Sequence, residues 1–299
     1  MRIPADRQIL HIIPEEYSID NQGGIEKPIG MCGTKLEAIN HVVLAAVPAI
    51  QNIKKSVERA GYVVKNYILQ PIASSESVLD VNEKDLGVVL IDIGGGTTDV
   101  AVYFDKSIKH TKVIGVAGNM ITNDIRESLG IVTADAENLK KEFGYAIQEA
   151  IIRDQDIILK NSGGRGNVKI PVTLLTQIIN VRMSELFMII NNELQHTNLK
   201  SKIKSGVVLT GGGSLLRGCT DLAEDILGLP TRIGLPLNLG QGLSNEIESP
   251  EFATVAGLIK SIPGVSSSAV TIKGRTIVSD RKKYFVKIFE KLKEIFENL

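Results

Sequence analysis

The segment Leu90-Ile91-Asp92-Ile93-Gly94-Gly95-Gly96-Thr97-Thr98-Asp99-Val100-Ala101-Val102 constrains the fold more than any other stretch of the 299-residue chain. The β-branched, apolar run Val88 to Ile93 predicts a buried strand, and Val100 to Tyr103 predict a second. Between them, Gly94, Gly95 and Gly96 let backbone N–H groups approach an anion closely, and Thr97 and Thr98 add hydroxyl donors. Asp92, at the strand end, is placed to orient a hydrated Mg²⁺ beside phosphates. For this loop alone an ordinary hairpin with a glycine-rich turn competes. A second glycine turn shifts the balance: Gly211-Gly212-Gly213-Ser214 follows the apolar run Val207 to Leu209. It leads into Leu215, Leu216, Leu222, Ala223, Ile226 and Leu227 at helical spacing, which predicts a helix over 215–227.

A third element lies between the turns. In Ala136 to Gly144, Glu137 and Lys140 are three apart on one helix face. Spacing alone leaves a solvated ion pair as an equal alternative. In this order the three elements resemble the actin/Hsp70/sugar-kinase superfamily, in which two similar domains close on ATP. The resemblance implies ATP with Mg²⁺ as cofactor. It makes the first turn a phosphate loop, the second an adenosine loop, and Glu137 and Lys140 the groups near ribose and adenine.

Within that superfamily the chain resembles the FtsA family of bacterial cell-division proteins. The matching segments are Leu10-His11-Ile12-Ile13-Pro14-Glu15-Glu16-Tyr17-Ser18-Ile19-Asp20, Gly30 to Glu37, Ala73-Ser74-Ser75-Glu76-Ser77-Val78-Leu79, His110 to Ile114 with Ala117-Gly118-Asn119, and Arg232-Ile233-Gly234-Leu235-Pro236. They run from about Arg2 to Lys260. The implied fold is α/β: an actin-like ATPase fold with mixed β-sheets flanked by helices, an incomplete first domain, and a C-terminal amphipathic helix. The resemblance makes residues 1–66 the remainder of the family's inserted subdomain and 67–83 a connecting helix. It makes 84–264 the second actin-like domain, with a smaller subdomain at about 119–205. The implied function is that of an ATP-binding adaptor, not an enzyme beyond weak ATPase activity, which anchors the tubulin-like FtsZ ring to the membrane and self-associates. Other division proteins are further implied partners. Arg232 matches a basic position in the family's FtsZ contact, which lies in the smaller subdomain. An exposed strand-end arginine is the alternative for it.

Local patterns fill in the rest. Strands are expected at Ile9–Ile19, Ala38–Ala45 and Val63–Leu69, with a helix opened by Pro48 and closed by Gly61. Helices are expected at 121–129, 134–144 and 174–194, and Asn161 to Asn167 reads as a hairpin loop. Pro250 opens a last core helix in which Gly257 permits close packing. Residues 265–279 are Ser-, Thr- and Gly-rich and read as a linker. Beyond it, Phe285, Ile288, Phe289, Leu292, Ile295, Phe296 and Leu299 form one apolar stripe on a helix about 28 Å long. Six basic residues against three acidic ones give residues 281–299 a net +3. A docked terminal helix or a coiled-coil partner would carry such a stripe. The linker, the cationic face and the aromatics on the stripe favour a helix lying in the interface of an anionic membrane surface, as the family resemblance also implies.

The net charge of 0 gives no pointer to a nucleic-acid partner. Cys32 and Cys219 lack metal-ligand spacing and read as buried small residues in a reducing compartment. Met1 to Arg7 shows no signal-peptide pattern, and no window is expected to span a bilayer. The expected location is the cytoplasmic face of the inner membrane. One departure from the superfamily stands out. Its first phosphate loop, an Asp-x-Gly-[Ser/Thr] hairpin, is absent, and the chain resembles an N-terminally truncated family member. ATP binding is therefore expected to be weak. A small-molecule kinase and a pilus-assembly adaptor share the core and are the alternatives, but neither explains the tail.

Overall fold

The computed structural model describes residues 2–159, 168–237 and 247–262. The expected 161–167 loop, the linker at 265–279 and the membrane stripe at 281–299 lie outside the described residues.

A five-stranded mixed sheet forms the centre. Its strands are β4 (Val88–Ile93), β5 (Thr98–Phe104), β6 (Ser107–Ile114), β9 (Val207–Thr210) and β10 (Thr231–Ile233), in the order β10-β9-β4-β5-β6. β4 runs antiparallel to β5 and parallel to β9. β4 is apolar except for Asp92 because both of its faces are covered. Val89, Ile91 and Ile93 join Val100, Val102, Val207 and Leu209 against α4 (Gly118–Leu129), α5 (Thr133–Phe143), α6 (Val172–His196) and α7 (Cys219–Leu227). Val88 and Leu90 join Ala101, Tyr103 and Val208 on the other face, under α2 (Gln70–Val78) and α8 (Ala253–Lys260). By the two-residue alternation, Asp92 and its cross-strand neighbour Asp99 share this second face.

α2 and α8 cross at very close range. A Cβ on Gly257 would stand 1.7 Å from the Ala73 carbonyl oxygen, so only glycine fits there. Ser77 Oγ donates to the Ala253 carbonyl at 2.6 Å in the same seam.

The N-terminal part is a separate three-stranded sheet, β2-β1-β3, from β1 (Arg7–Ile19), β2 (Gln22–Ile25) and β3 (Leu36–Ala46), followed by α1 (Val47–Arg59). It meets β6 through His41 Nε2 and Thr111 Oγ1 at 3.1 Å and through Lys109 and Glu15 at 3.7 Å. The short helix α3 (Val81–Leu86) starts with a capping box, Asp80 with Glu83. The antiparallel hairpin β7 (Asp156–Leu159) and β8 (Val168–Pro171) flanks the expected loop.

Four expectations need correction. The strand at Val63–Leu69 does not form: among the described residues no strand pairs with it, and the Leu69 N–H instead donates to His11 Nε2 at 3.0 Å. The helix expected from Leu215 begins at Cys219, because Gly218 takes a left-handed φ of +73° and breaks the helical turn before it. Cys32 is exposed, whereas Cys219 is buried and its thiol is pushed up to about 12 by that burial. Finally, α6 is long and apolar enough, by length and composition, to cross a membrane. One face of it, including Leu175, Ile179, Met183, Leu186 and Ile190, is nevertheless core. An exposed face and an Arg182–Asp124 ion pair at 2.6 Å complete it as a packed helix.

Candidate functional site

Both glycine turns lie at the same end of the central sheet. After Ile93 the chain turns through Gly94 to Thr97, closed by the Gly94 N–H donating to the Thr97 carbonyl at 3.0 Å. The start of α4 seats on this turn, with the Gly118 N–H on the Gly94 carbonyl and the Asn119 N–H on the Gly95 carbonyl at 2.8 Å. Those bonds use the turn's carbonyls. The Gly95 and Gly96 amides have no backbone partner among the described residues and stand at an exposed corner. Such paired, outward amides form a concavity suited to an anion.

The second turn packs directly on the first strand. A Cβ on Gly213 would fall 2.3 Å from Ile93 Cγ2, and one on Gly211 would fall 2.4 Å from Asp92 Oδ1. Any larger residue would force the turns apart, so this contact explains the glycines. Between the turns lies a cleft of about 490 Å³, bordered by Gly94, Gly95, Gly212, Gly213, Glu137 and Lys140 among others.

Glu137 and Lys140 are positioned, not merely exposed. Lys140 Nζ lies 2.7 Å from Glu137 Oε2 and donates to the Gly118 carbonyl at 3.0 Å and to Thr122 Oγ1 at 2.8 Å. Thr122 Oγ1 also bonds the Glu137 carboxylate. Burial alone would raise the Glu137 pKa. The hydrogen bonds from Lys140 and Thr122 and the charges of Lys140 and Lys141 outweigh it and hold the carboxyl below its ordinary value. The wall therefore presents a fixed carboxylate beside a fixed ammonium. Farther along, Leu215 and Leu216 face Gly144, and the Arg217 guanidinium sits 5.2 Å from the Tyr145 ring centroid.

The other expected residues have different placements. Thr97 is exposed and its hydroxyl bonds Asp99 at 3.2 Å. Thr98 is a correction: it lies inside β5, fully buried, and donates to the Val116 carbonyl at 2.7 Å, so its hydroxyl does not face the cleft. Ser214 is buried and donates to the Gly211 carbonyl. Asp92 lies against α2 and α8: its Oδ2 accepts from Ser74 Oγ at 2.7 Å and from Gln70 at 3.3 Å, with Thr254 Oγ1 also 3.3 Å away. Its Oδ1 accepts no hydrogen bond from the described residues. Asp99, opposite, is pushed up to about 6 by burial, against the Thr97 hydrogen bond and with the Asp92 charge adding to the rise.

Arg232 has its own placement. It stands on β10, outside 119–205, and its guanidinium pairs with both oxygens of Glu83, at 2.8 and 2.7 Å, and with the Val78 carbonyl. The 119–205 segment instead carries a groove of about 410 Å³ between α4 and α6, lined by Asp124, Leu174, Ile178, Val181 and Arg182 among others. Sequence reasoning passed over Gly118, Asn119, Lys141, Gly144, Arg217 and Glu251 on the cleft. The Ala117-Gly118-Asn119 segment was visible as a motif, but its seat on the glycine turn is a tertiary contact.

Among the described residues no group of three or more His, Cys, Asp or Glu side chains could hold a metal. A divalent cation here would rest on water, on ligand phosphates and on Asp92 Oδ1, the carboxylate oxygen to which no described residue donates.

Comparison with known proteins agrees with this architecture. Residues 89–257 match the family described as cell division protein FtsA, and residues 1–44 match the SHS2 domain inserted in FtsA. The cell division protein FtsA of Pseudomonas aeruginosa is 39% identical over 296 residues, covering 97% of this chain and 70% of that protein. Its counterpart in Neisseria meningitidis is 40% identical over 260 residues, and that in Escherichia coli 36% over 266. The chain spans 63% of the length of each of these two. Among solved structures, Spiroplasma citri MreB5 bound to ADP superposes with a TM-score of 0.59 at 22% identity, covering 72% of this chain and 64% of that one. A PilM–PilN type IV pilus biogenesis complex gives 0.61 at 19% identity, covering 86% and 67%. These two likenesses establish an actin-like fold. With the family model matched over more than half of its residues, the chain belongs to the FtsA family of cell division proteins.

Proposed function

We propose that this chain is a nucleotide-binding adaptor of the bacterial division machinery, with ATP and Mg²⁺ in the cleft between its glycine turns. The observation that carries the reading is the convergence of Gly94, Gly95, Gly212 and Gly213 on the fixed Glu137–Lys140 pair. The free amides of the first turn suit phosphate, and the Glu137 carboxylate suits a ribose hydroxyl. The apolar end at Leu215 and Leu216 suits a base. Mg²⁺, when bound, would neutralise phosphate charge, and Asp92 Oδ1 would orient its water. Among the described residues the phosphate donors lie on the glycine-turn side of the cleft, and the affinity depends on how many charge-assisted bonds they make. Each such bond is worth roughly 1.5–3 kcal/mol, about tenfold or more in affinity.

Family membership supports the wider role. The adaptor would dock FtsZ, bind other division proteins, self-associate, and sit on the cytoplasmic face of the inner membrane through the stripe from Phe285 to Leu299. The α4–α6 groove, in the segment to which the resemblance assigns the FtsZ contact, is the docking surface we favour over Arg232. Its exposed Leu174 and Val181 lie beside Arg182 and Asp124.

Calorimetric titration of the full chain with Mg-ATP tests the cleft. Saturable binding that Lys140→Ala weakens is expected; equal binding by wild type and Lys140→Ala would refute the assignment. Fluorescence anisotropy with a labelled C-terminal FtsZ peptide tests the groove. Val181→Asp should abolish micromolar binding while Arg232→Ala leaves it unchanged, and the opposite pattern would return the contact to Arg232.

A further inference from the structure

The Asp92 carboxylate is buried, with only 2% of the residue exposed, and its two oxygens are treated unequally. Gln70 and Ser74 donate to Oδ2, Thr254 Oγ1 lies 3.3 Å from it, and none of the described residues donates to Oδ1. Oδ1 is not among the buried atoms left without a partner, so water reaches it, and a hydrated cation could meet it there. The bare oxygen is the one against Gly211, on the turn that closes the cleft.

The hydroxyls around Oδ2 come from outside the cleft. Ser74 is on α2 and Thr254 on α8, and their hydroxyls lie 2.9 Å apart. Ser74 Oγ is 2.7 Å from Asp92, so its proton is committed to the carboxylate. Thr254 is closer to Ser74 than to Asp92, which is 3.3 Å away, so its proton goes to Ser74. The result is a directed chain of hydroxyls, Thr254 to Ser74 to Asp92, and such chains polarise cooperatively. Three residues after Thr254 is Gly257, where α8 rests on the backbone of α2. α8 is also the last described element before residues 263–299.

We infer that Ser74 and Thr254 are positioning residues for the metal–nucleotide site. Through them a bound Mg-nucleotide tightens the crossing of α2 and α8. The inference rests on the nucleotide reading above. A hydrated cation at Oδ1 fixes the carboxylate, the fixed carboxylate holds the Ser74 and Thr254 hydroxyls, and these hold the first turn of α8. Ligand occupancy is thereby transmitted to the helix that leads into the C-terminal segment.

The test uses the full 299-residue chain and two readouts: ATP affinity with Mg²⁺ or with EDTA, and hydrogen exchange of the peptide covering Ala253–Lys260. In wild type, Mg²⁺ should strengthen ATP binding, and Mg-ATP should slow exchange in α8 severalfold relative to ATP with EDTA. Ser74→Ala should lose roughly tenfold of the Mg²⁺-dependent gain, the value of one hydrogen bond to a charged group, and Thr254→Val a smaller share, about severalfold, as for a bond between hydroxyls. Both should also lose the slowing of α8. Thr254→Ser keeps the hydroxyl and should behave as wild type. Should Ser74→Ala fail to fold, the Thr254→Val and Thr254→Ser pair decides, because Thr254 is only partly buried. Variants that retain the full Mg²⁺ gain, or α8 exchange that ignores the nucleotide, would overturn the relay while leaving the cleft intact. Wild type that binds no ATP would overturn the nucleotide reading itself, and the relay with it.

Discussion

Gly257→Ala separates two effects of opposite sign. Within an isolated helix the change is favourable by about 1 kcal/mol, because alanine loses less conformational freedom. In this structure the new Cβ would stand 1.7 Å from the Ala73 carbonyl oxygen and 2.3 Å from its carbon. Ordinary non-bonded separation is roughly 3.5 Å, so α2 and α8 would have to move apart by close to 2 Å. The obstacle is backbone, so no side-chain rotation relieves it. Overpacking costs about 1–3 kcal/mol, and a backbone clash belongs at the upper end. Separation would also stretch the Ser77–Ala253 hydrogen bond. The net expectation is a loss of about 2 kcal/mol, or roughly 4–8 °C in melting temperature for a domain of this size. Circular dichroism melts of wild type and variant measure it. A variant melting at or above wild type would follow helix propensity alone and would refute the tight crossing.

Three further outcomes follow from named contacts. Gly213→Ala should weaken ATP binding at least tenfold in calorimetry, since its Cβ would collide with Ile93 and part the two turns. Arg232→Ala should cost roughly 1 kcal/mol in urea denaturation, as expected for a bidentate but solvent-reached ion pair with Glu83. Acidification should loosen the N-terminal sheet. His11 and His41 both have pKa values lowered by burial, His41 also facing Glu15 and His110, so the folded state holds their protons less tightly than the unfolded chain. Their contribution is complete above the ordinary value of 6.5 and is lost as pH falls below it. Melts at pH 7.5 and 5.5 should differ more for wild type than for a variant with both histidines replaced by glutamine.

How far the sequence reveals this protein depends on the range of the interaction. β4, β5 and β9 are legible because burial on both faces writes continuous apolar runs, and the glycine turns because close approach excludes side chains. α6 is legible from its periodicity. The Thr98 hydroxyl could not be placed, because its partner is the Val116 carbonyl, eighteen residues away. Val63–Leu69 has strand composition, but a strand needs a neighbour, and that requirement is not local. Arg232 lies within a matched motif, yet its partner Glu83 is far off in sequence. Asp92 was read at the right strand end, whereas its tie to Ser74 and Thr254 depends on two helices crossing beneath the sheet.

Photolabelling with 8-azido-ATP and peptide mapping tests the cleft as the nucleotide site most directly. Label that unmodified ATP suppresses is expected on the peptides containing Lys140–Gly144 or Leu215–Arg217, where the base end of the cleft lies. Suppressible label confined to the α4–α6 groove or to the N-terminal sheet, or no suppressible label at all, would contradict the assignment.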